Sequence, residues 1–388
     1  MSNYTMFHCH SDYSLLDSCS NYAEYIELAK RDGMKAISFS EHGKPLGWLS
    51  KKIECDKAGI KYMHSVELYL TRTHEEKIRD NYHVLLIAKN LEGFKELNAL
   101  ISKSCDKDHF YYVNRISFDE FLGISDNIIS TSACLASPLN KLDENDEYYM
   151  KLARKYDYLE IQPHLHPEQV EFSRRLYRLS TQINSKLIVG TDTHSSSKYK
   201  AECRDVLLSA KHKKYDDDGF DLTYKTYDEL CALFTRQNAL PEEVWKDALE
   251  NTNRLADEIE DYQLDCTVKY PILYGSYEMD DEKFTETVYR KFNEKLEKGI
   301  IPMSQKEAFE KAIVEELRVL RKLNMTGFML SMSELVSWCK ENHMAIGTAR
   351  GSVGGSRVAY ITDIIDMNPE TWGTIFSRFA NEDRVEVG

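Results

Sequence analysis

The nine cysteines of this 388-residue chain include no C-x-x-C pair and lie widely scattered. An odd number without that spacing excludes both a disulfide framework and a zinc ribbon, so they read as reduced thiols, most of them packed. Nowhere is there an apolar run of membrane-spanning length, and the start, Met-Ser-Asn-Tyr, has neither a basic n-region nor an apolar h-region. The expected setting is therefore cytoplasmic, with no membrane partner. Positive charge is also short: 50 Lys and Arg face 64 Asp and Glu, a formal net charge of -14. Broad sequence-independent grip on a duplex needs Lys and Arg to neutralise phosphates, so DNA would be handled at a local site, with a further segment or partner supplying the hold.

What is present is ample core material, 42% hydrophobic residues, and a length that suggests two or three domains. The first two hundred residues alternate short apolar strands with helical stretches. Strands are expected at Tyr4 to His10, Ala36 to Ser40, Lys61 to Leu70, Tyr82 to Ala88, Asn127 to Thr131, Tyr158 to Gln162 and Lys186 to Gly190. Seven strands alternating with helices predict an α/β fold, a parallel β/α barrel or a relative of one.

Barrel enzymes carry their chemistry at the C-terminal strand ends. Alternation along the first strand sends His8 and His10 to one face, with Asp17 on the loop beyond. The second strand ends in Ser40-Glu41-His42-Gly43 and the third carries Glu67. Cys134 follows the fifth, His164 the sixth, and Asp192 and His194 the seventh. The fourth breaks the rule, because His83 lies at its start; if Thr71 to Asn81 turns the chain back, that strand runs antiparallel and its start returns to the active face. Taken singly, Cys134 reads as a small buried hydrophobe, His164 and His166 as surface residues, and Asp192 and His194 as helix caps. Taken together, nitrogen and oxygen donors at nearly every strand mouth point to a metal cluster.

His8-Cys9-His10, Glu41-His42-Gly43, Glu67, Tyr82-His83-Val84-Leu85-Leu86, Ser132-Ala133-Cys134-Leu135 and Asp192-Thr193-His194 resemble, in order, the polymerase and histidinol phosphatase (PHP) domain. The resemblance implies a distorted seven-stranded β/α barrel holding up to three divalent metals, with His8, His10, Asp17, His42, Glu67, His83, Cys134, Asp192 and His194 as ligands. Where the family usually has Asp before the second-motif His, this chain has Glu41. The mixed imidazole and carboxylate set suits Zn, Mn or Fe better than Ca. From Tyr199 to about Tyr270 the pattern is helical and polar; Asn251-Thr252 followed by Leu255-Ala256-Asp257 resembles the stretch that closes this domain in bacterial replicative DNA polymerases, a solvated annex is the plainer reading, and Asp216-Asp217-Asp218 reads as an exposed turn.

After Tyr270-Pro271 the character changes, which sets the expected boundary between a domain at 1–270 and a second at 271–388. Phe284, Val288, Phe292 and Leu296 repeat every four residues, Ser304-Gln305-Lys306-Glu307 has the capping-box pattern, and a short strand is expected at Ala345-Ile346. That strand runs into Gly347-Thr348-Ala349-Arg350-Gly351-Ser352-Val353-Gly354-Gly355-Ser356. Glycines let backbone N–H groups approach an anion, and Arg350 can fork onto phosphate. No Lys follows, so this is not a Walker A loop.

The loop resembles the G-x-x-R-G-S-x-x-G-S signature in the palm of bacterial replicative DNA polymerase III alpha subunits. The agreement continues through Ile361-Thr362-Asp363, Pro369 and Phe376 to Arg384. Val353-Gly354 replaces a pair of alanines, and Glu382 stands where a proline is usual. By that resemblance Arg350, Gly351, Ser352, Gly355 and Ser356 bind the incoming nucleotide, and 271–388 is a largely helical first part of the palm. The aspartates that hold catalytic Mg begin just beyond Gly388 in the family, so two-metal polymerisation requires a C-terminal remainder as partner, with primer-template DNA and dNTP bound in the completed enzyme. The expectation is an N-terminal fragment of a bacterial or phage replicative DNA polymerase whose PHP site serves as a metal-dependent 3′-5′ exonuclease. A free-standing phosphoesterase and a non-catalytic, metal-stabilised scaffold are the competing readings.

Overall fold

The fold is taken from a computed structural model that describes residues 4–210, 220–267 and 269–382. The acidic turn at Asp216 to Asp218 and the Arg384 end of the last motif lie outside them. The chain divides into two compact units, Met1–Leu264 and Asp265–Gly388; the expected boundary falls a few residues later.

In the first unit the strands are β1 (Ala36–Ser38), β2 (Lys61–Met63), β3 (Ser65–Thr71), β4 (Tyr82–Ala88), β5 (Arg115–Ser117), β6 (Ile128–Thr131), β7 (Tyr158–Ile161) and β8 (Lys186–Val189). β1 pairs with β2, and the other six form one sheet in the order β5-β3-β4-β6-β7-β8. Every pairing is parallel except those of β4, which runs antiparallel to both β3 and β6. That reversal brings His83 back to the face where the parallel strands end, which is the arrangement that a returning Thr71 to Asn81 connection would give. β5, an edge strand beside β3, was not anticipated.

Residues 4–10 form no regular strand. They are extended and buried, held on one side by a Met6–Ile37 bridge and on the other by a Cys9–Thr193 bridge. The reason is local: Cys9 N donates to the Ser40 hydroxyl (3.0 Å), and a side chain thereby takes a place that a ladder carbonyl would fill. With a third bridge, His42–Glu67, these contacts link the two sheets and the N-terminal segment into a circuit, joined by single bridges instead of one continuous ladder.

Alternation sorts β4 into two layers. Val84, Leu86 and Ala88 join the core beneath the surrounding helices. Leu85 and Ile87 turn to the opposite face, where they meet Phe7, Ile129 and Ile188 together with Leu255, Ala256 and Ile259. The helix Glu242–Glu258 therefore fills the inner face, and the reading of this stretch as a solvated annex is corrected: Trp245, Ala248, Leu249, Asn251 and Thr252 are buried as well. Asn251 donates to the Leu187 carbonyl (2.8 Å), and Thr252 accepts from Thr5 N (2.8 Å). The buried Asn and Thr thus anchor the helix to β8 and the N-terminal segment.

Buried His64, between β2 and β3, gives a pH test of this packing. Its ring sits against Trp48 and Phe94, and burial pulls its pKa down from the usual 6.5 to about 4. Above pH 6.5 the folded and unfolded forms are both neutral and stability is full. As pH falls from 6.5 towards 4 the unfolded chain takes up a proton that the fold refuses, and stability is lost. The expected loss is about 3 kcal/mol. Urea unfolding of wild type and His64→Gln at pH 7 and pH 4.5 checks it: the wild type should lose more stability than the variant across that interval.

In the second unit the helices Tyr277–Glu297, Lys306–Lys322, Thr326–Glu341 and Arg357–Ile361 surround one core that includes Phe284, Phe309, Leu317, Leu330 and Ile361. The fourfold spacing from Phe284 to Phe292 is the buried stripe of the first of these. Two expectations fail. Ser304 lies in a 3-10 turn, Met303–Gln305, and the helix beginning at Lys306 has Gln305 at its cap with no side-chain bond. Ala345 and Ile346 form no strand; no strand partner is offered among the described residues of this unit.

Candidate metal centre

Four imidazoles, a thiol and three carboxylates from distant parts of the first unit converge at one end of the sheet, with His194 as a fifth imidazole. Three groups of donors lie close enough to share cations: His8, His10, Glu67 and Asp192; Glu67, His83 and Cys134; His10, His42 and His194. Asp17 Oδ2 joins the third group, 2.9 Å from His42 Nε2 and 3.1 Å from His194 Nε2. All nine expected ligands are thus in one place. Asp192 and His194 are not helix caps, and Cys134 is not simply packed: its sulfur lies 3.5 Å from His83 Nδ1 and 3.8 Å from Glu67 Oε1.

The orientation of the rings is fixed from behind. His8 Nδ1 donates to Glu160 Oε1 (2.6 Å), and His194 Nδ1 donates to the Asp192 carbonyl (2.8 Å). His10 Nδ1 donates to Ser14 Oγ (3.0 Å), whose own hydroxyl is given to Glu41. In each case the proton sits on Nδ1 and the bare Nε2 lone pair is presented to the site. Buried inside, His8 Nε2, His10 Nε2, His42 Nδ1, Glu67 Oε2 and Asp192 Oδ1 have no hydrogen-bond partner. They are nevertheless close, with His10 Nε2 3.2 Å from Glu67 Oε2 and His8 Nε2 3.3 Å from Asp192 Oδ1. Buried polar atoms are normally satisfied, and five orphans facing one another are what a cation cluster would satisfy. The donor set fits divalent transition metals.

The electrostatics agree. Burial alone would raise Glu67 and Asp192, yet the surrounding imidazoles hold both carboxyls well below the usual range. Burial depresses His8, but Glu160, Asp192 and Glu67 outweigh it and raise the ring well above 6.5. His10 goes the other way, lowered by burial and by neighbouring His194 and His42. Such divergent shifts in one cleft mark a site built around charge. Two residues of the site hold a left-handed backbone: Ala133, just before Cys134, and Asp192 itself have φ of +55° and +45°.

Further positions complete the centre; of these, Glu160 and Arg204 were not singled out by the sequence. Glu41, in place of the usual Asp, is not a ligand. It is fully buried and accepts from Ser11, Ser14 and Lys51 Nζ (2.5 Å), so the extra methylene reaches a supporting network behind His10. Arg204 Nη2 donates to Asp17 Oδ1 (2.7 Å) and its Nε to the Asp17 carbonyl (2.6 Å), which ties the loop carrying Asp17 to the helix Lys198–Ala210. Glu160 accepts from Thr131 Oγ1 (2.7 Å) and Gln162 Nε2 (2.9 Å) besides His8. A charge at an inward position of an apolar strand was its one sequence signal. His164 is buried, contrary to its reading as a surface residue; its ring meets Phe220 edge-on, its Nε2 is unpartnered, and burial lowers its pKa to about 4. His166, by contrast, caps the helix Pro167–Ile183. Leu15, Leu16, Tyr69, Lys141, His164 and Phe220 line the rest of a cleft of about 780 Å³ that opens onto the ligands.

Glu160→Gln is expected to loosen metal binding by about 10- to 100-fold, the usual effect of losing a partner behind a ligating His. Metal titration against a competing chelator measures it; an unchanged affinity would contradict this role.

At the second unit's glycine-rich loop, Arg350, Gly351 and Ser352 are exposed, with Gly351 at φ +73°. Gly355 and Ser356 do not face outward. Ser356 is buried, caps the helix Arg357–Ile361 through Ala359 N (3.0 Å), and donates to Glu316 Oε2 (2.7 Å). A Cβ on Gly355 would stand 2.3 Å from the Ile375 carbonyl oxygen. Both residues pack the loop against its own unit, and the Ser356 hydroxyl is engaged with Glu316.

Residues 7–164 match the PHP domain, and residues 282–388 match the bacterial DNA polymerase III alpha NTPase domain. The first of these matches falls within the first unit. Over its whole length the chain is 30% identical to the DNA polymerase III subunit alpha of Borreliella burgdorferi, covering 34% of that protein, and over 99% of its length 28% identical to that of Aquifex aeolicus, covering 35%. It is similar over its whole length to DNA polymerase III alpha subunits and spans about a third of the length of the curated relatives it matches. Among solved structures, PsfC from Pseudomonas syringae is similar at a TM-score of 0.36 and 13% identity, over 64% of this chain and all of that one. No helix among the described residues is long and apolar enough to cross a membrane.

Proposed function

We propose that this chain supplies the metal-dependent nuclease site and the first part of the palm of a replicative DNA polymerase, and that its PHP centre trims DNA from the 3′ end. The observation that carries the nuclease half is the set of buried, unpartnered Nε2 and carboxylate oxygens at the floor of an open cleft. Bound Zn, Mn or Fe would be held by His8, His10, Asp17, His42, Glu67, His83, Cys134, Asp192 and His194, and would supply charge neutralisation at a phosphodiester and an activated water. The protein's own part is to hold those rings through Glu160, Ser14 and the Asp192 carbonyl. Lys141, on the wall of the cleft, offers a cation for a substrate phosphate.

The polymerase half rests on the whole-length similarity and on the loop of Arg350 to Ser356, where Arg350, Gly351, Ser352, Gly355 and Ser356 would bind a nucleotide, the first three from exposed positions. Synthesis requires the C-terminal remainder, Mg, primer-template and dNTP. Mixing the folded chain with that remainder should restore primer extension, and the chain with manganese alone should shorten 3′-recessed, 5′-labelled DNA. A well-folded pair that neither associates nor extends, and a metal-loaded chain that leaves the label at full length, would overturn the two halves separately.

A further inference from the structure

Away from the PHP cleft, a second set of donors has been brought together from three separate segments. His74 lies on the connection between β3 and β4, His109 on the connection leading to β5, and Glu120 in the short helix Phe118–Leu122. His74 Nε2 is 2.9 Å from Glu120 Oε2, and His109 Nε2 is 2.9 Å from Glu120 Oε1. The two rings stand 4.2 Å apart, centroid to centroid. Both Nδ1 atoms are buried with no hydrogen-bond partner, so the carboxylate is what aims both rings. All three side chains are largely sheltered from solvent, with 15–18% exposed.

We propose that His74, His109 and Glu120 form a separate zinc site, a clip that fixes the β3–β4 connection. Two imidazole nitrogens and one carboxylate oxygen, with a fourth position left to water, are a common zinc donor set, and the same set is poor for Mg or Ca. The donor atoms lie within 4.8 Å of one another. A tetrahedral ion with bonds of about 2.0 Å separates its ligands by about 3.3 Å, so the group need open only slightly to admit one.

The competing reading is a plain ion-pair cluster, because Lys103 Nζ also lies 2.6 Å from Glu120 Oε1. Lys103 is 54% exposed, however, and its ammonium can swing into water while zinc takes its place. Glu120 Oε2 meanwhile stays fixed by Ser117 N (2.8 Å) in the helix cap. The consequence of filling the site lies nearby. The connection that His74 would pin leads to Asn81 and His83 at the wall of the PHP cleft, and it is this connection that turns β4 antiparallel.

The test uses the whole chain and zinc itself, with metal content measured by mass spectrometry after gel filtration and amide hydrogen exchange followed over residues 72–81. Wild type should hold one zinc more than His74→Ala/His109→Ala, and zinc should slow exchange of that segment in wild type alone. Lys103→Met should tighten this one site by about tenfold, since a competing like charge is gone. Equal zinc content in wild type and the double variant, or exchange of 72–81 indifferent to zinc in wild type, would overturn the proposal. These readouts do not depend on nuclease activity.

Discussion

Replacing His8 and His10 together by alanine should lower metal-dependent 3′-end trimming by more than about 100-fold. The bound follows from scale: loss of a single supporting partner behind a ligating His costs about 10- to 100-fold in metal affinity, and here two ligands vanish. His10 is the more consequential, since it belongs to two of the three donor groups. Because both rings are buried, a global loss of structure has to be separated from a loss of metal. Circular dichroism serves for the first, and metal content for the second; His10→Gln keeps the volume and the polarity and should also fail to trim. Unchanged trimming by a double variant purified to the same standard would remove the PHP centre from the account.

Glu316→Ala should destabilise the second unit by about 2–5 kcal/mol. Glu316 is buried and accepts from Ser356 Oγ (2.7 Å), Arg357 N (3.0 Å) and Val358 N (3.1 Å). Truncation leaves three donors without an acceptor at the start of a helix, and each buried orphan carries its own desolvation cost. Burial raises the Glu316 carboxyl above its usual range, but its hydrogen-bonding role does not require it to be ionised. Glu316→Gln, which keeps one acceptor, should therefore lose less than Glu316→Ala. Urea unfolding of the two variants checks the order; equal stability of Glu316→Ala and wild type would show that the cap is dispensable.

Most of the strands, and the donors that converge on the cleft, were legible because they depend on local signals. Apolar runs such as Val84 to Ala88 mark themselves, and an imidazole or carboxylate at the end of such a run is conspicuous. What supports the ligands was not legible in the same way. Glu160 and Arg204 act on His8 and Asp17 from 152 and 187 residues away, and only the fold makes those pairs neighbours. The Ser304 capping pattern failed because a 3-10 turn moved the helix start past it, and a boundary of that kind is weakly fixed by sequence. Ser356 illustrates a different limit: a motif identifies which residues matter, while the direction in which each one points is decided by its packing. Its hydroxyl turns inward because Glu316 waits there.

The most direct measurement is anomalous diffraction at the manganese edge from crystals of the whole chain grown with manganese. Peaks between the side chains of His10, Glu67 and His194 are the result predicted here. Ordered density for those three residues with no scatterer among them, at manganese concentrations that saturate binding in solution, would contradict the shared metal centre on which the nuclease reading stands.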